Sequence, residues 1–324
     1  MKSKNALFHF ESFSFEDINL RYSPREGETK LGDKIGTAND ARYVILGIEE
    51  SIGPKANKGN DGAQNGFESF LSKFLNMQSN ESLVGDNVHV IGKIATDFDD
   101  LIPEKYCDAV EELDEFVINI LSSKIKANQI PIVIGGGHNN AYPLIQHSFA
   151  KNKSKLNVIN LDAHADYRPI EGRHSGNPFS YAFRDGCIDS YTVFGLHQRY
   201  NSQRIIDDLL RDKHEFTFFE DYIDGVKDIK DDIDSYVKGN SQSNVGVELD
   251  LDSIENMPSS AFSPSGVSLN VARYYVRRMA QLNNISYLHL PEGAPLNEFE
   301  RTVIGKTLAY LVTDFIASHG ALKV

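Results

Sequence analysis

The sequence predicts an α/β fold with a mainly parallel sheet covered by helices on both faces. Short β-branched runs alternate with helical periodicities along the chain. Several of those runs are apolar without alternation, as strands buried on both faces are. Three runs end in clusters of ionisable residues, at the sheet edge where open α/β folds hold ligands.

Taken in order, the strand candidates are Tyr43–Ile48, Asn87–Ile91, Ile130–Ile134, Leu156–Leu161, Tyr191–Phe194, Glu215–Phe218, Val245–Leu251 and Ile285–Leu290. Most run into Gly, Asp or Pro, and Ile130-Pro131-Ile132-Val133-Ile134 has no polar position at all. Between them, Phe67, Phe70, Leu71 and Phe74 mark a short helix. Val110, Leu113, Phe116, Val117, Ile120 and Leu121 trace one face of a longer one. Ser268 is placed to cap a helix over Leu269–Gln281, and Val303 to Ile316 carries a further apolar stripe. The acidic stretch Asp221–Asn244 reads as a solvated helix and loop. No repeat at a fixed period is visible, so a single domain over residues 1–324 is expected, with 1–40 as an N-terminal extension.

Composition narrows the function. With 40% hydrophobic and 24% charged residues, the chain is neither disordered nor a disulfide scaffold. A net charge of -13 argues against nucleic acid as a partner. Two isolated cysteines suit a reducing compartment. The first twenty residues lack the apolar core of a signal peptide, and no stretch approaches the roughly 18 apolar residues of a membrane span. A soluble, cytoplasmic protein without a membrane partner is expected.

The ionisable clusters carry the chemistry. Ile130–Ile134 runs into Gly135-Gly136-Gly137-His138, Leu156–Leu161 into Asp162-Ala163-His164-Ala165-Asp166, and Val245–Leu249 into Asp250-Leu251-Asp252. In an extended chain, alternate side chains share a side, so Asp162, His164 and Asp166 project together, as do Asp250 and Asp252. Four carboxylates in one cleft repel one another unless a divalent cation joins them. Oxygen and imidazole donors without thiolate favour an ion such as Mn2+ over Mg2+ or Zn2+. Six donors suit two ions sharing bridging carboxylates better than one. Glu292 adds a carboxylate after the run Leu288-His289-Leu290.

As a set, these motifs resemble the ureohydrolase superfamily of arginase, agmatinase and formimidoylglutamase. The similar segments are Gly136-Gly137-His138, Asp162–Asp166, Asp250–Asp252, Glu292–Pro295 and an early Gly53–Ala63 element, in unbroken order over residues 43–318. The resemblance implies a three-layer α/β/α sandwich with an eight-stranded, mainly parallel sheet and a binuclear manganese centre. It implies one ion on His138, Asp162, Asp166 and Asp250, and another on Asp162, His164, Asp250 and Asp252. It also implies a homo-oligomer, trimeric or hexameric.

Two departures separate the subfamilies. Ser175 stands before Gly176, where arginase and agmatinase carry a proton-shuttling His, and His174 is displaced by one. Ser175-Gly176-Asn177-Pro178-Phe179, with Asp166-Tyr167-Arg168 before it, looks like formimidoylglutamase, as do the triple glycine and Asn201. Against this, Asn139-Asn140 follow His138 where that subfamily has an acidic residue, and Glu248 replaces a small hydroxyl residue. The implied reaction is hydrolysis of a C–N bond in a linear amidine, N-formimidoyl-glutamate to glutamate and formamide. Glu292 would pair with the amidinium, Asp166 would pass a proton to the departing nitrogen, and His174 is a further candidate catalytic group. Arg168, Ser175, Asn177 and Asn201 are candidate substrate contacts, Arg168 for a carboxylate. The alternatives are a guanidino hydrolase releasing urea, and a metal-binding homologue without catalysis.

Overall fold

The computed structural model describes residues 7–35, 40–96 and 101–320, so parts of the expected N-terminal extension (1–6 and 36–39) lie outside the described residues. The strands are β1 (Phe8–Ser12), β2 (Tyr43–Glu49), β3 (Val88–Thr96), β4 (Ile130–Ile134), β5 (Leu156–Leu161), β6 (Ile188–Leu196), β7 (Glu215–Phe218), β8 (Asn244–Leu249) and β9 (Asn284–Leu290). They form one sheet in the order β1-β3-β2-β4-β9-β8-β5-β6-β7. All pairings are parallel except β1 on β3.

Among the described residues nine strands, not eight, therefore build the sheet. The extra strand is Phe-His-Phe-Glu-Ser at the outer edge, where only Phe8 of the five residues is buried. So short and half-exposed a segment has little local signal, and a partner 80 residues downstream supplies its backbone hydrogen bonds.

The helices are α1 (Phe15–Asn19), α2 (Ile52–Ala56), α3 (Gly66–Phe74), α4 (Tyr106–Lys124), α5 (Ala141–Asn152), α6 (Pro178–Arg184), α7 (Gln203–Arg211), α8 (Phe219–Ile223), α9 (Ile229–Gly239), α10 (Leu269–Met279) and α11 (Glu298–Gly320). Those sequence periodicity predicts appear as α3, α4, α10 and α11. Ser268 caps α10 by accepting from Val271 N. The acidic stretch yields α9, whose Ile233, Tyr236 and Val237 are buried, so it covers the sheet while its acidic face stays wet.

Alternation along the strands sorts residues to two cores. Ile45, Ile132, Ile159 and Val247 face a layer with residues of α3, α9, α10 and α11. Val44, Leu46, Val133 and Val158 face a layer with residues of α4, α5, α6 and α7. With both faces occupied, ligand chemistry is left to the sheet's carboxyl-terminal edge. Among the described residues, no helix is long and apolar enough to cross a membrane.

Candidate metal centre

At that edge the central strands β4, β5 and β8 end in three turns. After β4, Gly135 and Gly136 take φ of 85° and 70°, a left-handed bend that glycine adopts without strain. The chain then enters a short turn at His138–Asn140 before α5. After β5 and β8 one device appears twice. Asp162 Oδ1 accepts from His164 N at 2.7 Å, and Asp250 Oδ1 accepts from Asp252 N at 2.8 Å. Each aspartate thus closes its own turn with one oxygen and turns the other toward His138. The strands stop at Leu161 and Leu249, so it is these turns, rather than continued strand alternation, that bring the side chains together.

His138 Nδ1 lies 2.9 Å from Asp166 Oδ2, 2.9 Å from Asp250 Oδ2 and 3.3 Å from Asp162 Oδ2. His164 Nδ1 lies 2.9 Å from Asp252 Oδ2. These separations match donors on a common ion, since bonds of about 2.1 Å at octahedral angles hold neighbours about 3 Å apart. The contacts at His138 are not hydrogen bonds, because neither of its buried ring nitrogens has a bonding partner of suitable geometry. Asp252 Oδ1 is likewise buried and unpartnered. Two donor sets result, His138–Asp162–Asp166–Asp250 and Asp162–His164–Asp252, sharing Asp162. Asp250 belongs to the first set only.

The electrostatics favour a cation here. Burial, with the charges of Asp252 and Asp162, holds Asp250 well above the usual carboxylate range. Burial pushes Asp252 up to about 6. His138 is held well above the imidazole range, its desolvation outweighed by Asp162, Asp166, Asp250 and Glu248. The acids thus require positive charge, which protons on histidine supply in the metal-free protein and which divalent ions supply more fully.

The cluster forms one wall of a cleft of about 340 Å³, lined also by Asn57, Lys58, Arg168, Ser175, Tyr200, Asn201, Ser260 and Glu292. Glu292, at φ 67°, is buried and accepts from His138 N at 2.7 Å and from the Ser260 hydroxyl. Burial and the Asp250 charge push it up to about 8. Arg168 is exposed, and its guanidinium has no hydrogen-bond or ion-pair partner among the described residues.

A model of the arginase family matches residues 41–316. The chain belongs to that family. Its relatives include a formimidoylglutamase of Staphylococcus carnosus, 25% identical over 95% of this chain and 92% of that protein. A formimidoylglutamase of Streptococcus pyogenes is also 25% identical, over 86% and 85% of the two chains. Among solved structures, Trypanosoma cruzi formiminoglutamase with Mn2+ aligns with a TM-score of 0.74 at 22% identity, covering 90% of this chain and 98% of that one. Bacillus subtilis formimidoylglutamase aligns with a TM-score of 0.76 at 19% identity, covering 93% and 94%. These structures establish the arginase fold.

Around this arginase-family cleft, three sequence-derived candidates have side chains hydrogen-bonded to the protein's own loops. His174 is buried outside the cleft lining, its Nδ1 accepting from Gly176 N at 3.1 Å and its Nε2 3.4 Å from Glu171. Burial lowers it to about 4. Asn177 spends its amide on Arg173, His174 N and Gly172 O. Asn201 lines the cleft, but its amide bonds Ala165 N, Ala163 O and His197 O, bracing the loop that carries His164. Ser175 lines the cleft with its hydroxyl 3.4 Å from Asn57 Nδ2.

Other groups escape sequence reasoning. Glu50, wholly buried at the end of β2, accepts from Gly137 N and the Asn140 amide at 2.7 Å and from the Asn139 amide at 3.2 Å. An acid just after β2 thereby takes the hydrogen bonds that the Asn139 and Asn140 amides offer. Buried Arg173 bonds Asp114 on α4 at 2.8 Å and Asn139 O at 3.0 Å, tying the loop after Asp166 to the body of the protein. Tyr200 stacks between His164 and His197, with ring centroids 5.3 and 5.0 Å away. The signal for Glu50 was an acid at a strand's carboxyl end; Arg173 had none, because Asp114 lies far away in sequence, and Tyr200 meets His164 only in the folded chain.

Proposed function

We propose that this protein hydrolyses a C–N bond of a linear amidine, converting N-formimidoyl-glutamate to glutamate and formamide, with two Mn2+ ions as cofactor. The observation that carries the reading is the pair of donor sets sharing Asp162, set in a cleft whose exposed cations, Arg168 and Lys58, match an acidic substrate. His138, Asp162, Asp166 and Asp250 would hold one ion, and Asp162, His164 and Asp252 the other. When bound, such a pair lowers the pKa of water toward neutrality and orients it for attack.

The chain's own groups do the rest. Glu292 binds the cationic amidinium, whose charge keeps its raised carboxyl ionised, and so fixes the planar carbon over the donor cluster. Arg168, and Lys58 on the exposed turn after α2, hold the carboxylates of the glutamate portion. The Asp166 oxygen not turned toward His138 passes a proton to the departing nitrogen. Tyr200 keeps the His164 ring in place by stacking. The relatives named formimidoylglutamase support this substrate. The same reading includes a reducing, cytoplasmic setting, consistent with free Cys107 and Cys187, and by family resemblance a trimer or hexamer.

The test supplies purified protein with Mn2+ and assays N-formimidoyl-glutamate for formamide beside arginase and agmatinase substrates for urea. Formamide without urea is expected. Urea alone would replace the substrate assignment with a guanidino compound. Bound metal with no turnover on any amidine would leave a metal-binding protein without catalysis.

A further inference from the structure

Beneath the donor cluster lies a second group of ionisable side chains that the proposed reaction does not use: Glu248 on β8 and His289 on β9. The two residues are register partners across a parallel strand pair, so their side chains share one face of the sheet. Both are wholly buried, as is His138. His289 Nδ1 lies 2.6 Å from Glu248 Oε2, and the same oxygen lies 3.4 Å from His138 Nε2. The rings of His138 and His289 are 5.8 Å apart. His138 is therefore held between carboxylates on opposite edges: Asp162, Asp166 and Asp250 at Nδ1, and Glu248 at Nε2.

We infer that Glu248, anchored by His289, is a positioning residue that fixes the tautomer and orientation of His138 for ion binding through Nδ1. An imidazole that donates its Nδ1 lone pair to a cation carries its proton on Nε2, and the Glu248 charge 3.4 Å away favours the proton there without a hydrogen bond. A small hydroxyl residue at position 248 cannot reach His138 from β8 with a charge. Glutamate reaches it, and its own burial is offset by the hydrogen bond from His289. The inference rests on the proposed metal reading of the upper cluster.

The same three side chains lie close enough together to be considered a third ion site. The distances argue otherwise. Glu248 and His289 approach to 2.6 Å, closer than the roughly 3 Å two ligands keep on one ion and typical of a charge-assisted hydrogen bond. The group is also sealed from solvent, whereas the upper cluster borders the cleft.

The decisive variant is Glu248→Gln, which keeps shape and removes charge. Metal-free wild type and variant are titrated with Mn2+ by calorimetry and by the electron paramagnetic resonance of the free ion, and the thermal midpoints of both metal-free forms are recorded. We expect two ions in the wild type, a loss of about 10- to 100-fold in affinity for one ion in the variant, and little change for the other. The midpoint of the metal-free variant serves as the folding control, and a purely structural role would lower it and leave the affinities alone. Unchanged affinities in a folded variant, or three ions in the wild type, overturn the inference. Should Glu248→Gln not fold, His289→Gln removes the anchor and is judged by the same affinity criterion. A wild type that binds no Mn2+ instead overturns the proposed function, so the two failures are distinct.

Discussion

Replacing Arg168 with Ala removes from the cleft a guanidinium that has no partner in the free protein among the described residues. Because nothing in the fold depends on that charge, unfolding stability should change by less than about 0.5 kcal/mol. The effect should fall on substrate binding. A guanidinium and a carboxylate at about 4 Å attract by about 1 kcal/mol in water and about 4 kcal/mol at the effective dielectric of a protein surface. Arg168 is exposed, so screening keeps the contact in the lower half of that range, about 1.5–2 kcal/mol. At about 1.4 kcal/mol per tenfold, KM for N-formimidoyl-glutamate should rise about 10- to 30-fold, with kcat changed less than about threefold. The assay is formamide release, run beside a formimidoyl derivative of a simple alkylamine that lacks carboxylates. That control should lose almost nothing. Equal losses on both substrates, or a fall in kcat with KM unchanged, would refute the carboxylate contact.

Asp162 belongs to both donor sets, so Asp162→Asn should cost at least one bound ion and lower turnover by more than about 100-fold, as elemental analysis and activity together will show. Asp114→Ala leaves the Arg173 charge buried without its carboxylate, and denaturant unfolding should show a loss of about 3–5 kcal/mol. His147 is buried on α5, and burial lowers it to about 4 from an ordinary 6.5, so the folded protein resists a proton that the unfolded chain accepts. Its contribution, about 3 kcal/mol, is present above pH 6.5 and lost as pH falls through 4. His147→Leu should flatten the fall in stability over that window by about that amount; an unchanged slope would show that the ring titrates freely.

Much of this architecture was legible before any coordinates. Unbroken apolar runs such as Ile130–Ile134 declare strands buried on both faces, and the stripe from Val110 to Leu121 declares a helix, because both signals repeat over a few residues. Other elements were not legible. β1 borrows its hydrogen bonds from β3, and β8 ends at Leu249 because Asp250 turns back to cap its own loop. Spacing likewise placed Asp162, His164, Asp166, Asp250 and Asp252 near His138, but not by the route the chain takes.

The candidate contacts divide on the same principle. His174, Asn177 and Asn201 have side chains suited to a substrate, yet their hydrogen bonds are committed to Gly176, Arg173 and the His164 loop, while Arg168 remains free. Glu50, Arg173 and the Glu248–His289 pair act through partners far along the chain. By itself the sequence determined the layers of the fold and the donor types of the metal cluster, since periodicity and residue chemistry are local properties. Tertiary structure alone decided which polar groups face the cleft and which are spent holding it in shape, since a hydrogen bond needs both partners in place and most of these partners are brought together only by folding.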